Sequence, residues 1–117
     1  MDLDYLQKSK ILKIKDILRF ERDSDSKRKR LKMWKQFDCN NNGYLSLAEI
    51  DKGFKDLKLD EIFEAKKPLL RAFNQTKGIS PAKDIYSDEF IEKNEFRLFL
   101  ETLYKYYVFW IAFKMTD

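Results

Sequence analysis

A chain of 117 residues has the size of one domain, so a single compact core is expected and a multi-domain enzyme is not. Hydrophobic residues make up 44% of it and charged residues 38%, with three Gly and two Pro, which is typical of helical globular proteins rather than of disordered or fibrous ones. Because the chain has no His and a single Cys, His-ligated metal sites, His-dependent catalytic triads and an intramolecular disulfide are excluded, and a net charge of +4 is too small to indicate nucleic-acid binding.

Amphipathic spacing predicts a first helix from about Asp4 to Arg22. Its apolar residues recur mostly at three- and four-residue steps: Leu6, Ile11, Ile14, Ile17 and Leu18. The preceding residues are acidic, and Asp2 stands where myristoylation needs a glycine, so neither a signal peptide nor an N-terminal lipid is predicted. The longest aromatic and aliphatic run, residues 106–113, is much shorter than the ~20 residues of a membrane span, which predicts a soluble protein without membrane insertion.

Two more amphipathic helices are predicted on either side of a polar loop. The first extends from about Ser26 to Phe37, after a stretch, residues 23–26, that offers several N-cap oxygens. The second ends near residues 58–60 and is slightly weakened by Gly53. Its apolar face consists of Leu47, Ile50, Phe54 and Leu57.

The C-terminal half predicts two helices separated by a long loop. Helical spacing over residues 60–73 is interrupted by a break or kink just before Pro68. Residues 74–87 have no apolar period and predict the loop, and a final helix extends from about Glu89 to Met115. The apolar stripe of this helix consists of Phe96, Phe99, Leu100, Leu103, Tyr107 and Trp110. No segment has the alternation of a full-length strand, so the predicted fold class is all-α.

One segment carries a metal-binding pattern. Residues 38–49, DCNNNGYLSLAE, match the calcium-loop pattern D-x-[DN]-x-[DN]-G-x5-E at every specified position. Ca²⁺ prefers about six to eight hard oxygen ligands, and Gly43 permits the positive-φ turn that such a loop needs. The predicted ligands are the side chains of Asp38, Asn40 and Asn42, the carbonyl of Tyr44, Ser46 directly or through water, and both carboxylate oxygens of Glu49. One Ca²⁺ site is therefore predicted in this loop.

A simpler interpretation of the segment is a surface turn, because Asn and Gly are common in turns for reasons unrelated to metals. A turn accounts neither for Glu49 nor for the amphipathic helices on both sides, so the calcium loop is the preferred interpretation. Cys39 occupies a non-ligand position and is interpreted as an exposed spacer rather than a redox group.

The second half repeats the pattern of the first with an insertion. Residues 70–74 correspond to residues 34–38, whereas residues 91–96 correspond to residues 45–50. The two offsets, 36 and 46 residues, differ by ten, which predicts a second helix-loop-helix whose loop, residues 74–95, is ten residues longer.

This longer loop is predicted to bind no metal and to stabilise the first loop by pairing with it, because a calcium cage depends on a fixed chain path. Counting back from Glu95 would instead place Asp84, Tyr86 and Asp88 at the front ligand positions, but Glu89 then replaces the turn Gly and Tyr86 is a poor ligand. Leu45 and Ile91 are predicted to face each other in a short β-bridge.

The calcium loop and its flanking helices resemble an EF-hand, a motif whose usual folding unit is a pair of hands. Residues 95–100, followed by Tyr106 and Tyr107 after a lengthened loop, are similar to the flagellar calcium-binding proteins of trypanosomes, the calflagins, and to related ciliate calcium-binding proteins. The resemblance covers about residues 26–117 and implies a paired EF-hand domain.

The resemblance also implies a domain organisation. An N-terminal helix and linker, residues 1–25, precede an EF-hand pair in residues 26–117, made of a first hand, residues 26–58, and a degenerate second hand, residues 60–115. Calflagins have four hands, so the chain is expected to be the N-terminal half of a longer protein, with a C-terminal lobe missing. The family implies a cytoplasmic location associated with a cilium or flagellum; its membrane role is not carried over, for want of a lipidation site.

The predicted function is a Ca²⁺ sensor that changes conformation and engages a protein target through an apolar groove; the alternative is a structural adaptor that Ca²⁺ only stabilises. Two carboxylate ligands, Asp38 and Glu49, favour an affinity of about 10⁻⁶–10⁻⁴ M and sensing over storage. No nucleophile-base pair or phosphate-binding loop is visible, so no enzymatic activity is predicted.

A basic cluster, residues 27–30 with Lys32 and Lys35, is interpreted as a solvated helix face. The alternative is that it contacts anionic lipid, nucleic acid or an acidic partner.

The C-terminal helix needs cover on more than one face, because its apolar residues extend most of the way round. Beyond the stripe they include Leu98, Tyr104, Val108, Phe109 and Ile111. One face is expected to contact the paired-hand core at Trp34, Phe37, Ile50, Phe54 and Phe73. The other is expected to contact the N-terminal helix through its stripe of Leu6, Ile11, Ile14 and Leu18, either as a plug that competes with a target helix or as a permanent core helix. Otherwise a missing C-terminal lobe or a target would cover this face.

Overall fold

A computed structural model describes residues 5–57, 66–77 and 90–114. Within these ranges the structure has five α-helices, which confirms the all-α class: α1 (Tyr5–Leu18), α2 (Ser24–Phe37), α3 (Leu47–Asp56), α4 (Lys66–Thr76) and α5 (Phe96–Lys114). Two strands of two residues each, β1 (Tyr44–Leu45) and β2 (Ile91–Glu92), pair antiparallel, and a 3₁₀ turn at Lys93–Glu95 leads into α5.

A single hydrophobic core joins the five helices and centres on α5. Phe96, at the start of α5, contacts the rings of Trp34 and Phe37 edge-on, with centroid distances of 5.3 and 6.1 Å. Phe37 makes a further T-shaped contact with Phe54 of α3 at 5.1 Å. Edge-to-face aromatic pairs add to the free energy gained by burying apolar area. The predicted core residues Trp34, Phe37, Ile50, Phe54 and Phe73 are all buried.

The N-terminal helix α1 packs against α5, as predicted, but with a rotated face. Ile11, Ile14 and Leu18 are buried, whereas Leu6 is 53% exposed and Gln7 is 4% exposed. The prediction for Leu6 was therefore wrong, because positions 7, 11, 14 and 18 share one face of a helix and position 6 lies about 100° away from position 7. The buried amide is satisfied, since Gln7 Nε2 donates to the carbonyl of Ile111 at 3.2 Å.

The linker after α1 is held by two arginines. The helix ends at Leu18 rather than near Arg22, because Arg19 adopts a φ of 46° that a right-handed helix cannot continue. Arg30 Nη1 donates to the Arg19 carbonyl at 2.6 Å, and Arg97 Nη1 donates to the Phe20 carbonyl at 3.3 Å. The ring of Phe20 contacts Tyr104 at 5.0 Å. The linker is therefore tied to both α2 and α5.

Asp23 starts α2 two residues earlier than predicted, at Ser24 rather than Ser26. Its carboxylate accepts a hydrogen bond of 3.0 Å from the Ser26 amide. This bond, together with one to the Ser26 side chain, lowers the pKa of Asp23 from its usual 3.8. A side-chain oxygen at this position satisfies an amide that the first helical turn leaves without an internal partner.

Replacing Asp23 with Ala is expected to lower the thermal midpoint by a few degrees at neutral pH, since a helix cap is lost. Thermal unfolding followed by circular dichroism measures the change, with Ser24→Ala, at the exposed next position, as the control. The lowered pKa means that the cap stabilises above the unfolded value and that this contribution is lost as pH falls through the folded value. A difference between wild type and variant that persists below both values would contradict the assignment.

The helix before the second loop extends further than predicted. Pro68 is the third residue of α4, a first-turn position as expected, but α4 continues through Asn74 to Thr76, so the loop predicted from residue 74 was wrong at its start. Thr76 is 1% exposed, and its hydroxyl donates to the Ala72 carbonyl at 2.7 Å. Because this bond satisfies the hydroxyl, a polar residue can be buried at the end of α4. The predictions for residues 58–65, for residues 78–89, including Asp84, Tyr86 and Asp88, and for the end of the final helix at Met115 lie outside the described residues.

The final helix begins at Phe96 rather than Glu89, because residues 91 and 92 form a strand and residues 93–95 form a 3₁₀ turn. Along α5, Trp110 of the predicted stripe is only half-buried, while Phe109 is 58% exposed. Burial raises the pKa of Tyr107, which lies at the centre of the helix against the core.

Candidate metal centre

The loop predicted to bind calcium connects α2 to α3 and is closed at both ends. The amide of Asp38 donates to the Trp34 carbonyl at 2.8 Å, which ends α2. At the other end the amide of Ile50 donates to the Ser46 carbonyl at 3.1 Å, the first bond of α3. Because both helices have buried apolar faces in one core, the loop is held between two fixed supports.

Asp38 organises the front of the loop. It is 5% exposed, and its two carboxylate oxygens accept bonds from the amides of Asn42, at 3.2 Å, and Gly43, at 3.0 Å. The chain reaches this arrangement through positive φ values at Asn41, 53°, and Gly43, 84°. Asn and Gly tolerate that region best, so the Asn- and Gly-rich sequence has a conformational reason here. The loop thus folds around its own first carboxylate.

The other residues in the first half of the loop differ in exposure and in hydrogen bonding. Asn42 Oδ1 accepts a bond from the Tyr44 amide at 3.0 Å, which steadies the turn into β1. Asn40 is exposed, and Tyr44 is half-buried, with its ring 5.9 Å from that of Phe90. Cys39 is exposed, as predicted for a spacer, and its thiol contacts the Gln36 carbonyl at 3.3 Å.

Ser46 and Glu49 form a capping box at the start of α3. Ser46 Oγ accepts a bond from the Glu49 amide at 3.2 Å, and Glu49 Oε1 accepts one from the Ser46 amide at 3.0 Å. The box satisfies two amides of the first turn and fixes the Glu49 side chain relative to the loop. Ser46 therefore has a structural role beside its predicted one as a ligand.

The second hand repeats this arrangement with different residues. The Glu92 amide donates to Glu95 Oε1 at 2.7 Å, just as the Ser46 amide donates to Glu49 Oε1, and Glu95 is 3% exposed. Sequence reasoning identified Glu95 but missed Glu92. The signal was its position three residues before a Glu, the same spacing as in the first hand.

The two hands meet at the short sheet. Leu45 pairs with Ile91 and Tyr44 with Glu92, which confirms the predicted contact between Leu45 and Ile91. Both of these apolar residues are fully buried. The equivalence of Glu49 and Glu95 therefore holds in space, whereas Asn74, the proposed front of the second loop, lies inside α4.

The donor set of the first loop fits a hard cation. In the described part of the chain no group of three or more Asp, Glu, Cys or His side chains gathers in one place, so a cation in this loop must also use amide and carbonyl oxygens. Calcium accepts such mixed ligands. Each carboxylate oxygen of Asp38 and Glu49 has two lone pairs, so one bond to an amide leaves room for a second interaction. The six predicted ligand positions remain predictions.

Comparison with known proteins points to one family. The model of the FCaBP EF-hand domain matches residues 14–103. Flagellar calcium-binding protein TB-17 of Trypanosoma brucei brucei is 34% identical over 101 residues, with 83% of this chain and 43% of that protein covered. The flagellar calcium-binding protein of Trypanosoma cruzi is 30% identical over 108 residues, with 90% of this chain and 51% of that protein covered. The chain spans about half the length of these relatives, and no solved structure matches it.

Within the described ranges, none of the helices combines the length and the apolar character needed to cross a membrane.

Proposed function

The chain belongs to the family of FCaBP EF-hand domains, and from that premise we propose that it binds one Ca²⁺ ion in the loop of residues 38–49 and changes conformation in response. The observation that carries the proposal is the folding of this loop around the buried Asp38 carboxylate, with Glu49 fixed at the start of the next helix. Bound Ca²⁺ would supply a divalent charge that neutralises these carboxylates. No enzymatic activity is proposed.

The conformational response would begin at Glu49, because it lies in the first turn of α3 and its carboxylate is tied to the Ser46 amide. A shift of this carboxylate towards Asp38 therefore moves the helix as a unit rather than one side chain. The ring of Phe54, further along α3, contacts Phe37 at 5.1 Å and is fully buried. A displacement of α3 would reach the core through this pair, which supports a sensor over an inert scaffold.

The second loop is proposed to have no metal of its own and to act through the sheet. Its Glu95 is buried and bonded to the Glu92 amide, and α5 follows directly. A calorimetric titration of the whole chain with Ca²⁺ is expected to give a stoichiometry of one. A measured value of two would overturn this assignment.

The same titration followed by NMR separates the two candidate functions. A sensor predicts that added Ca²⁺ shifts amide resonances of α3 and α5, in addition to those of the loop, and increases the fluorescence of an apolar dye. Shifts confined to residues 38–49 with no dye response would instead support the structural adaptor, in which Ca²⁺ only stabilises the fold.

The packing of α1 on α5 bears on how a protein target would bind. We propose that α1 covers the apolar face that a target helix would use and competes with it. A permanent core helix is the second candidate, favoured by the near-complete burial of Ile14 and Leu18. Deleting residues 1–22 distinguishes them: competition predicts a folded domain with increased apolar-dye binding, whereas an unfolded product would contradict it. The names of the relatives support a flagellar location, which stays part of the proposal.

A further inference from the structure

A cavity of about 290 Å³ lies between α2 and the start of α5, outside the calcium loop. Its charged lining residues are all cations: Lys27, Arg30, Lys93 and Arg97. No carboxylate is among the described residues that line it. We call this cavity the basic pocket. Two of the rim cations come from the first half of the sequence and two from the second, so the cluster in residues 27–30 reveals only part of the pocket.

The floor of the basic pocket is apolar and recessed. It consists of Trp34 and Phe96, which are 5% and 3% exposed, whereas Leu31, which also lines the pocket, is 38% exposed and is not part of the recessed floor. The indole and the phenyl ring meet edge-on at 72°. Because both rings are almost fully buried, neither offers a free flat face. The volume of about 290 Å³ is near the lower limit for ligand-binding cavities, which usually measure about 300–1,000 Å³. A cavity of this size can hold a single inserted side chain.

The two arginines on the rim are held in place by the linker between α1 and α2. Arg30 Nη1 donates to the carbonyls of Arg19 and Glu21, and Arg97 Nη1 donates to the Phe20 carbonyl and to Glu101. A guanidinium has five N–H groups, so these bonds fix each side chain without using all of its donors. Burial and the charge of Arg97 lower the pKa of Arg30. An incoming carboxylate would relieve this unfavourable environment.

We propose that the basic pocket binds an acidic peptide segment of a partner protein, which inserts one apolar side chain towards Trp34 and Phe96 and places flanking carboxylates on the surrounding cations. Charge complementarity selects the acidic segment, and the recessed apolar floor selects a side chain. A membrane surface would reach the rim but not the floor. Single-stranded nucleic acid would need an open aromatic face for stacking, and the buried rings of Trp34 and Phe96 provide none.

This inference goes beyond the proposed calcium function, because none of the predicted ligands lines the basic pocket. A direct test uses the whole chain and a fluorescein-labelled peptide in which Leu-Phe is flanked on each side by three Glu. Fluorescence anisotropy gives the affinity, once with Ca²⁺ and once with EDTA. A Trp110→Phe variant leaves Trp34 as the one remaining tryptophan, so a change in its emission on peptide addition locates binding at the floor.

The matched variants lie on the same helix. Lys27→Glu reverses a charge on the rim, and Lys32→Glu makes the same change at an exposed position that does not line the pocket. Lys27→Glu is expected to weaken peptide binding about five-fold or more, since an exposed ion pair contributes up to ~1 kcal/mol and reversal adds repulsion. Lys32→Glu should change the affinity less than two-fold, and replacing Leu-Phe in the peptide with Ser-Ser should weaken binding markedly.

Three results would overturn the proposal, whether or not Ca²⁺ binds. The first is no peptide binding at up to millimolar concentration. The second is equal weakening by Lys27→Glu and Lys32→Glu, which indicates diffuse charge attraction. The third combines two observations. The protein is retained on vesicles of phosphatidylserine and phosphatidylcholine and Lys27→Glu abolishes this retention, while peptide addition leaves the Trp34 emission unchanged. Together they would assign the surface to a membrane.

Discussion

Replacing Glu49 with Gln is expected to reduce Ca²⁺ affinity to on the order of 10⁻³ M or weaker, from a predicted 10⁻⁶–10⁻⁴ M, because the loop then has one carboxylate ligand instead of two. Gln has nearly the shape of Glu and also serves in a capping box, so the bond to the Ser46 amide should survive. The loss would thus report on metal binding rather than on folding. Isothermal calorimetry measures the affinity directly.

Glu95→Gln is the matched control for this experiment. Glu95 has the same position in the second hand and the same kind of bond, to the Glu92 amide. If only the first loop binds Ca²⁺, this variant should keep the wild-type affinity. An unchanged affinity in Glu49→Gln would contradict the ligand assignment, whereas a loss in Glu95→Gln with the fold intact would show that the second loop takes part.

Replacing Gly53 with Ala is expected to destabilise the domain by about 2 kcal/mol, although Ala is the better helix former by about 1 kcal/mol. A Cβ atom at this position would meet Cγ of Phe37 at 2.7 Å and Cε1 at 2.5 Å, closer than non-bonded carbons approach. Phe37 cannot easily move aside, because its ring contacts Phe54 and Phe96. Urea unfolding gives the free energy of unfolding for wild type and variant.

Making the same substitution in a Phe37→Leu variant tests whether the contact with the Phe37 ring causes the loss of stability. In a Phe37→Leu protein the rigid ring is gone, so the added methyl group should cost less than in the wild type; this non-additivity is the signature of a direct contact. Lys52→Ala, at the exposed neighbouring position, is expected to change the stability by no more than about 0.5 kcal/mol. A more stable Gly53→Ala protein in the wild-type background would show that helix propensity outweighs the close approach.

Gly53 also shows what sequence reasoning cannot supply. Within α3, Gly53 only lowers the predicted helical propensity. Its structural role, to leave space for a ring, depends on Phe37, which belongs to α2. The same limit applies to Gln7: a polar residue beside the apolar Leu6 gives no reason to be buried until its partner, the Ile111 carbonyl, is in place. Positions decided by distant contacts have no local pattern from which to predict them.

Features with a short-range cause were predictable. The positive φ at Gly43 follows from the turn that the spacing of residues 38–49 requires, and the pairing of Leu45 with Ile91 followed from aligning the two Glu residues after them. The error at Asn74 also has a local cause. Asn and Thr have weak helical preference, but Thr76 is buried in the fold and its hydroxyl is satisfied by the Ala72 carbonyl, so tertiary burial outweighs the local preference.

The packing of α1 on α5 has a consequence for synthesis on the ribosome. The bond from Gln7 to Ile111 joins residues 104 positions apart, so the apolar face of α1 leaves the ribosome long before its cover exists. At about 5–20 residues per second, this delay is roughly 5–20 s. During that interval Ile11, Ile14 and Leu18 are exposed on a short helix that is marginally stable alone. The nascent chain therefore offers a chaperone a binding segment that the finished protein conceals.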